Sequence, residues 1–210
     1  LWGNAQNIKK LKKICKARNI LIIEDAAEAL GTKLISGKKI ISAGSMGNLG
    51  CFSFNGNKII STGSGGAIVT NTKKFYVDAN YLANQAKDDT FSYIHNNIGY
   101  NYKLNNLLSV FGLSQISKLN KFLKKKRMIH QIYKKKFKNF RGINILEPDK
   151  NVKSNYWLTI ITFERSRKNF LKKLSNYLKK FKIEIRQVWR PNHMQKYLNN
   201  FERFKLINSE

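Results

Sequence analysis

The spacing of apolar residues divides the chain into helical and extended segments. Over residues 5–18 the spacing predicts an amphipathic helix. The apolar residues on one face are Ile8, Leu11, Ile14 and Cys15, and lysines lie elsewhere on its surface. Residues 21–23 are continuously apolar, which is typical of a strand in a parallel sheet covered on both faces. A helix followed by a buried strand is half of a β-α-β unit, so the pattern predicts an α/β fold.

The remaining pattern predicts more of the same fold and then a second, smaller α/β unit that begins after Pro148. The predicted segments are strands at 51–54, 66–70, 157–163 and 183–188, one or two long helices within 103–140, and a helix through 170–178. No internal repeat is present.

Three polar side chains stand where a sheet of this kind binds ligands. Asp25 ends the strand that begins at residue 21, Ser53 lies in the next predicted strand, and Lys58 follows five residues later. Ligands of open α/β sheets gather beyond the carboxyl ends of the strands. A lysine, a strand-end carboxylate and a hydroxyl in this order are what a pyridoxal phosphate site needs, whereas each alone is an ordinary solvated residue.

The chain is strongly basic, with 40 lysine and arginine side chains against 12 acidic ones and a net charge of +28. Residues 1–100 carry +7 and residues 101–210 carry +21. Such a field attracts phosphates, so charge alone points to nucleic acid. The excess consists mostly of lysines among many asparagines and isoleucines, a bias that a low-GC coding sequence also produces. A solvated lysine-rich surface is therefore the other interpretation.

Other site classes find little support. Cys15 and Cys51 have no metal-binding spacing, so no metal site is predicted, and both fit small buried thiols in a reducing, cytoplasmic compartment. The glycines do not form a nucleotide-binding G-x-G-x-x-G loop and fit tight turns instead. No apolar run is long enough to cross a bilayer. Because the chain begins at Leu1 and nothing there resembles a signal peptide, we expect a fragment.

Several motifs in order resemble the DegT-type sugar aminotransferases over nearly the whole chain. The motifs are EDAAEALG at 24–31, FSFNGNK at 52–58, GSGG at 63–66, GYNYKL at 99–104 and GLSQ at 112–115. The resemblance implies the α/β fold of PLP-dependent transferases of type I: part of a large domain with a mostly parallel sheet, and a small C-terminal α/β domain. The implied parts are the large domain at 1–115 without the family's N-terminal part, a connecting long helix at 116–145 and the small domain at 146–210 with a shortened tail. The stretch 31–50 is a few residues longer than in the family, so a larger loop is expected near the cofactor.

The resemblance also implies roles for individual residues. Lys58 would hold pyridoxal 5'-phosphate covalently and move the proton between substrate and cofactor carbons. Asp25 would pair with the pyridine nitrogen, and Ser53 would bind the phosphate. Glu28 would lie beside the cofactor ring. Asn101 would reach the phosphate of a neighbouring subunit's cofactor, which makes the site a property of a homodimer.

The wording of the motifs is most similar to enzymes that aminate a 4-keto nucleotide sugar, with glutamate as the implied amino donor. His95, Arg186 and His193 are the candidates for the nucleotide-sugar cleft, where a cation can meet a diphosphate. Family members that dehydrate sugars replace the lysine by histidine, so Lys58 argues against that branch. A noncatalytic family relative and a basic nucleic-acid-binding protein remain the alternatives. Neither membrane nor nucleic acid is an expected partner.

Overall fold

A computed structural model of the chain describes residues 1–164 and 169–202. The helices are α1 Lys9–Ala17, α2 Lys73–Ala83, α3 Asn106–Ile116, α4 Leu119–Phe137 and α5 Phe170–Lys179, followed by short 3-10 turns at Asn192–Met194 and Lys196–Leu198. The strands are β1 Ile23–Asp25, β2 Lys33–Ser36, β3 Lys39–Ser42, β4 Leu49–Ser53, β5 Gly66–Val69, β6 Ile143–Ile145, β7 Val152–Lys153 and β8 Ile161–Phe163.

The first sheet has the strand order β1-β4-β5 and carries the predicted site. β1 runs parallel to β4, with Ile23 opposite Leu49 and Asp25 opposite Cys51, whereas β5 is antiparallel to β4. Because β1 and β4 are parallel, their carboxyl ends meet at one edge of the sheet. Within the described chain, β1 is an edge strand of this sheet. Ile23 remains 64% exposed, so the expected cover on both faces of β1 is not found there.

The second sheet corrects the expectation of a larger loop at 31–50, because residues 33–42 of this stretch form two strands and their turn. β2 and β3 form an antiparallel hairpin in which Ser36 faces Lys39, so two residues make the turn. Gly37 lies in that turn with φ +59°, a value that glycine adopts without strain. β7 pairs with the other side of β2.

Two apolar clusters support these sheets. The first consists of Ala5, Ala26, Ala29, Leu34, Ala43, Met46 and Val152, and it joins the residues after β1 to the hairpin. The second consists of Ile59, Ile60, Leu123 and Trp157. Leu123 comes from α4, so the long helix fixes the segment that follows β4 and Lys58.

The chain divides into two compact units, Leu1–Thr162 and Phe163–Glu210. In the second unit, residues 183–188 form no strand, so that prediction is wrong: the backbone there has no neighbouring strand within the described part of the unit. The strand predicted at 157–163 shortens to β8, which pairs with β6. The predicted small domain includes residues 165–168 and 203–210, which lie outside the described residues.

In the described ranges, every helix is too short or too polar to span a membrane.

Candidate active site

The parallel strands β1 and β4 place Asp25 and Ser53 together at one edge and on one face of the sheet. Asp25 faces Cys51 in the register, and Ser53 lies two residues beyond Cys51. Side chains two apart on a strand point to the same face. Asp25 is exposed and its Oδ1 accepts a hydrogen bond from the Ala27 N–H at 3.1 Å. Ser53 Oγ accepts one from the Asn55 N–H at 3.3 Å.

Lys58 lies in the turn that follows β4. Its N–H donates to the Asn55 carbonyl at 3.0 Å, and the Asn55 side chain accepts from the Gly56 N–H at 2.9 Å. The Lys58 side chain is half-buried, and Nζ lies 4.3 Å from the centre of the Trp157 ring. The next two residues, Ile59 and Ile60, are buried and anchor the turn.

The glycine-rich segment after the lysine is fixed by packing. Gln115 of α3 binds the backbone of Ser61 twice, accepting from its N–H at 3.1 Å and donating to its carbonyl at 2.6 Å. A methyl group on Gly65 would lie 2.6 Å from Leu104 Cδ1, and one on Gly66 would overlap the carbonyl oxygen of Phe52. Close approach of neighbouring atoms therefore explains these two glycines.

Glu28, predicted beside the cofactor ring, is engaged with the start of the chain. Its Oε2 accepts a hydrogen bond from the Trp2 N–H at 2.7 Å. Its backbone carbonyl accepts from Asn155 Nδ2 at 2.8 Å. The structure thus gives Glu28 a structural contact within the described chain, and its role toward a cofactor stays a prediction.

Asn155 and Trp157 are the site residues that the sequence did not reveal. Asn155 is fully buried; its Nδ2 also donates to the Leu30 carbonyl at 2.9 Å, and its Oδ1 accepts from the Trp157 N–H at 2.9 Å. Trp157 is 3% exposed, and its Nε1–H donates to the Asn57 carbonyl at 2.7 Å. A buried indole needs a partner for its N–H, and the Asn57 carbonyl, a hundred residues earlier in the chain, provides it, so no local sequence signal marks Trp157.

A polar cluster around His130 of α4 contacts the segment 154–157 at Tyr156. His130 is 1% exposed, stacks on Tyr156 with ring centres 4.1 Å apart, and lies 3.3 Å from Glu147 Oε1. Burial raises the pKa of Glu147, but hydrogen bonds from Lys134 and His130 outweigh it and hold that pKa below its ordinary value. Burial raises the pKa of Tyr156.

The other predicted residues belong to other segments of the chain. Asn101 is exposed and forms an isolated β-bridge with Asn84, next to the stacked rings of Tyr100 and Tyr102. His95 is also exposed, and its Nδ1 lies 2.7 Å from the Gln85 carbonyl oxygen. Arg186 and His193 belong to the second unit. Arg186 is exposed and binds Glu184 at 2.9 Å, and His193 lies in the 3-10 turn Asn192–Met194.

Comparisons with known proteins cover almost all of the chain. GDP-perosamine synthase of Escherichia coli O157:H7 is 34% identical over 204 residues, which are 97% of this chain and 54% of that protein. The chain spans about half the length of the curated relatives it matches. A second relative is the UDP-4-amino-4,6-dideoxy-N-acetyl-beta-L-altrosamine transaminase of Campylobacter jejuni strain 81-176. It is 33% identical over 164 residues, which are 77% of this chain and 43% of that protein.

Solved structures agree with the sequence comparison. Helicobacter pylori PseC, an aminotransferase involved in the biosynthesis of pseudoaminic acid, superposes with a TM-score of 0.85 at 26% identity, over 99% of this chain and 56% of its own. The likeness confirms the predicted fold class, part of the fold of PLP-dependent transferases of type I. The model of the DegT/DnrJ/EryC1/StrS aminotransferase family matches residues 1–210, and the chain belongs to that family.

Proposed function

We propose that the protein carrying this chain is a pyridoxal-phosphate-dependent aminotransferase and that Lys58 holds its cofactor. The observation that carries the proposal is the position of Asp25 and Ser53 on one face at the shared edge of β1 and β4, with Lys58 in the turn directly after β4. Family membership supports it, because relatives of this chain are named as aminotransferases.

The donor set fits the three functional ends of the cofactor. A primary amine at Lys58 suits its aldehyde, a carboxylate at Asp25 suits its pyridine nitrogen, and a hydroxyl at Ser53 suits its phosphate. Ser53 Oγ accepts a hydrogen bond from the backbone, so its own hydrogen can be donated to a phosphate oxygen. Asp25 bears no cationic partner in the described residues and can offer its charge to a protonated ring nitrogen.

The chemistry then divides between cofactor and protein. When bound, pyridoxal phosphate withdraws electrons and so weakens a C–H bond beside the reacting nitrogen. Lys58 Nζ takes the proton of that bond as a neutral amine and returns it to a neighbouring carbon as an ammonium. The carboxylate of Asp25 keeps the ring nitrogen protonated throughout.

The amino acceptor that we propose is a keto nucleotide sugar, with glutamate as donor. The names of the relatives support this class of acceptor, because one relative is named as a GDP-perosamine synthase and another as a transaminase of a UDP-linked amino sugar. Within this proposal His95, Arg186 and His193 contact the nucleotide sugar, Glu28 lies beside the cofactor, and Asn101 reaches the site of a second subunit. The enzyme would then act as a cytoplasmic homodimer.

The test is to locate the cofactor chemically. The protein encoded by the complete gene is incubated with pyridoxal phosphate, reduced with borohydride, digested and mapped by mass spectrometry. We expect the pyridoxyl mass on Lys58 and its loss, with transaminase activity, in Lys58→Ala. Lys38→Ala, which removes an exposed lysine of the β2–β3 turn, is the matched control and keeps both.

Two results would overturn the proposal. One is a pyridoxyl mass spread over surface lysines and unchanged in Lys58→Ala. The other is a purified protein that neither takes up the cofactor nor transaminates a keto nucleotide sugar, which favours a noncatalytic relative.

A further inference from the structure

The indole of Trp157 binds the Lys58 turn at two points. Lys58 Nζ lies over the ring, 4.3 Å from its centre, and the Nε1–H donates to the carbonyl of Asn57 at 2.7 Å. A cation over an indole face is attracted by the negative charge of the ring's π system. One side chain therefore holds both the amine of Lys58 and the backbone just before it.

Trp157 is itself fixed by buried contacts. It is 3% exposed and packs with Ile59, Ile60 and Leu123. The backbone N–H of Trp157 donates to Asn155 Oδ1 at 2.9 Å. Asn155 Nδ2 in turn donates to the carbonyls of Glu28 and Leu30, in the segment that begins three residues beyond the end of β1. Trp157 thus has little freedom to move. Its indole binds the turn after β4, and its backbone is linked through Asn155 to the segment that follows Asp25, the last residue of β1.

We propose that Trp157 is a positioning residue for Lys58, an inference that rests on the proposed function. The face of its ring holds the ammonium form of Lys58 Nζ. The indole N–H binds the Asn57 carbonyl and so fixes the backbone from which the lysine side chain begins. The ring attracts the protonated amine more strongly than the neutral amine. An Nζ that has just accepted a proton is therefore kept in the site, at a defined place, until it returns that proton.

The experiment measures the reactivity of Lys58 without using turnover. The full-length protein, freed of cofactor, is pulsed with acetic anhydride at about pH 8, where only neutral amines react, and acetylation of each lysine is followed by peptide mass spectrometry. In Trp157→Leu we expect Lys58 to be acetylated about 2- to 5-fold faster than in the wild type, because the contact that favours the ammonium is lost.

Matched variants separate the ring from its N–H. Trp157→Phe keeps an aromatic face but loses the hydrogen bond to Asn57, so we expect a smaller rise in the Lys58 rate than in Trp157→Leu. Tyr93→Leu removes an exposed aromatic ring that lies over a different lysine, Lys87, and leaves the Lys58 rate unchanged. Acetylation of Lys38 provides the internal reference, and the thermal unfolding midpoint of each variant verifies that it is folded.

The acetylation rates test the role of Trp157 independently of the proposed function. Equal Lys58 rates in the wild type and Trp157→Leu overturn it, as does an equal rise in the leucine and phenylalanine variants, which would assign the effect to the hydrogen bond alone. If Trp157→Leu does not fold, an unchanged rate in Trp157→Phe overturns it. Borohydride trapping on the wild type tests the proposed function separately: cofactor on Lys58 with unaltered acetylation leaves that function standing, and no cofactor on Lys58 refutes it.

Discussion

Glu24 and Asp25 are adjacent carboxylates at the end of one strand, and the structure gives them different tasks. Successive side chains of a strand point to opposite faces. Glu24 turns toward the loop 44–47, where its oxygens accept hydrogen bonds from the N–H groups of Gly44, Met46 and Gly47. Asp25 stays exposed on the face that it shares with Ser53. Glu24 is thus structural, and Asp25 is the carboxylate available to a ligand.

We therefore predict that Glu24→Gln destabilises the protein by about 1.5–3 kcal/mol, because a charged acceptor of three backbone hydrogen bonds becomes a neutral group with one acceptor oxygen. The measurement is the free energy of unfolding in urea. Glu184→Gln is the control: Glu184 belongs to an exposed ion pair with Arg186, with side chains 66% and 83% exposed, and its loss should leave the unfolding curve unchanged. Equal curves for both variants would show that the loop does not depend on Glu24.

At the level of elements, the sequence predicts what is local and misses what is distant. Helical spacing within 103–140 correctly indicates α3 and α4, and β5 is found within one residue of the predicted strand. The β2–β3 hairpin had a local signal that went unused: KLIS and KIIS, two similar runs separated by a glycine and a lysine, are typical of a two-residue turn.

The candidate site divides in the same way. The order of Asp25, Ser53 and Lys58 can be read from the sequence, because each lies close to a recognisable strand end. Trp157 cannot be assigned in this way, since its apolar side chain fits the predicted strand 157–163 equally well. Its partners at Asn57 and Lys58 lie about a hundred residues earlier in the chain, and such a contact leaves no periodic pattern.

Strand β4 also makes a steric demand that distinguishes two glycines near the site. A methyl group on Gly50 would overlap the backbone carbonyl of Gly44, whereas one on Gly56 meets no atom within 4 Å. We predict that Gly50→Ala lowers stability by about 3 kcal/mol or more. Gly50 cannot move without breaking the β1–β4 pairing, and Gly44 is held by the hydrogen bond from its N–H to Glu24. Gly56→Ala should stay within about 0.5 kcal/mol of the wild type. Thermal unfolding of both variants checks this, and equal midpoints would contradict it.

On the scale of the whole molecule, the dominant property is a positive charge that is concentrated in the C-terminal half of the sequence, outside the segment that carries the candidate site. The C-terminal half carries +21 of the net +28, while Asp25, Ser53 and Lys58 belong to the half that carries +7. Part of the excess lines a surface cleft between α4 and β6, which contains Lys134, Lys135 and Lys138. The charge and the proposed chemistry can therefore be tested independently.

We predict that the charge produces only nonspecific binding to nucleic acid. A flexible lysine surface neutralises phosphates without reading bases, so its affinity for duplex DNA should fall steeply with salt and reach a Kd of about 10⁻⁴–10⁻⁶ M near 150 mM salt. Fluorescence anisotropy with two duplexes of different sequence measures this, and both should bind alike to the wild type, Asp25→Asn and Lys58→Ala. Covalent trapping of the cofactor on Lys58 should change little between low and high salt, because borohydride records a covalent bond and short-range contacts at the site are screened much less than surface charges. Submicromolar binding at 150 mM salt with a preference for one duplex would instead establish nucleic acid as a specific partner, and would give the basic C-terminal half a function of its own.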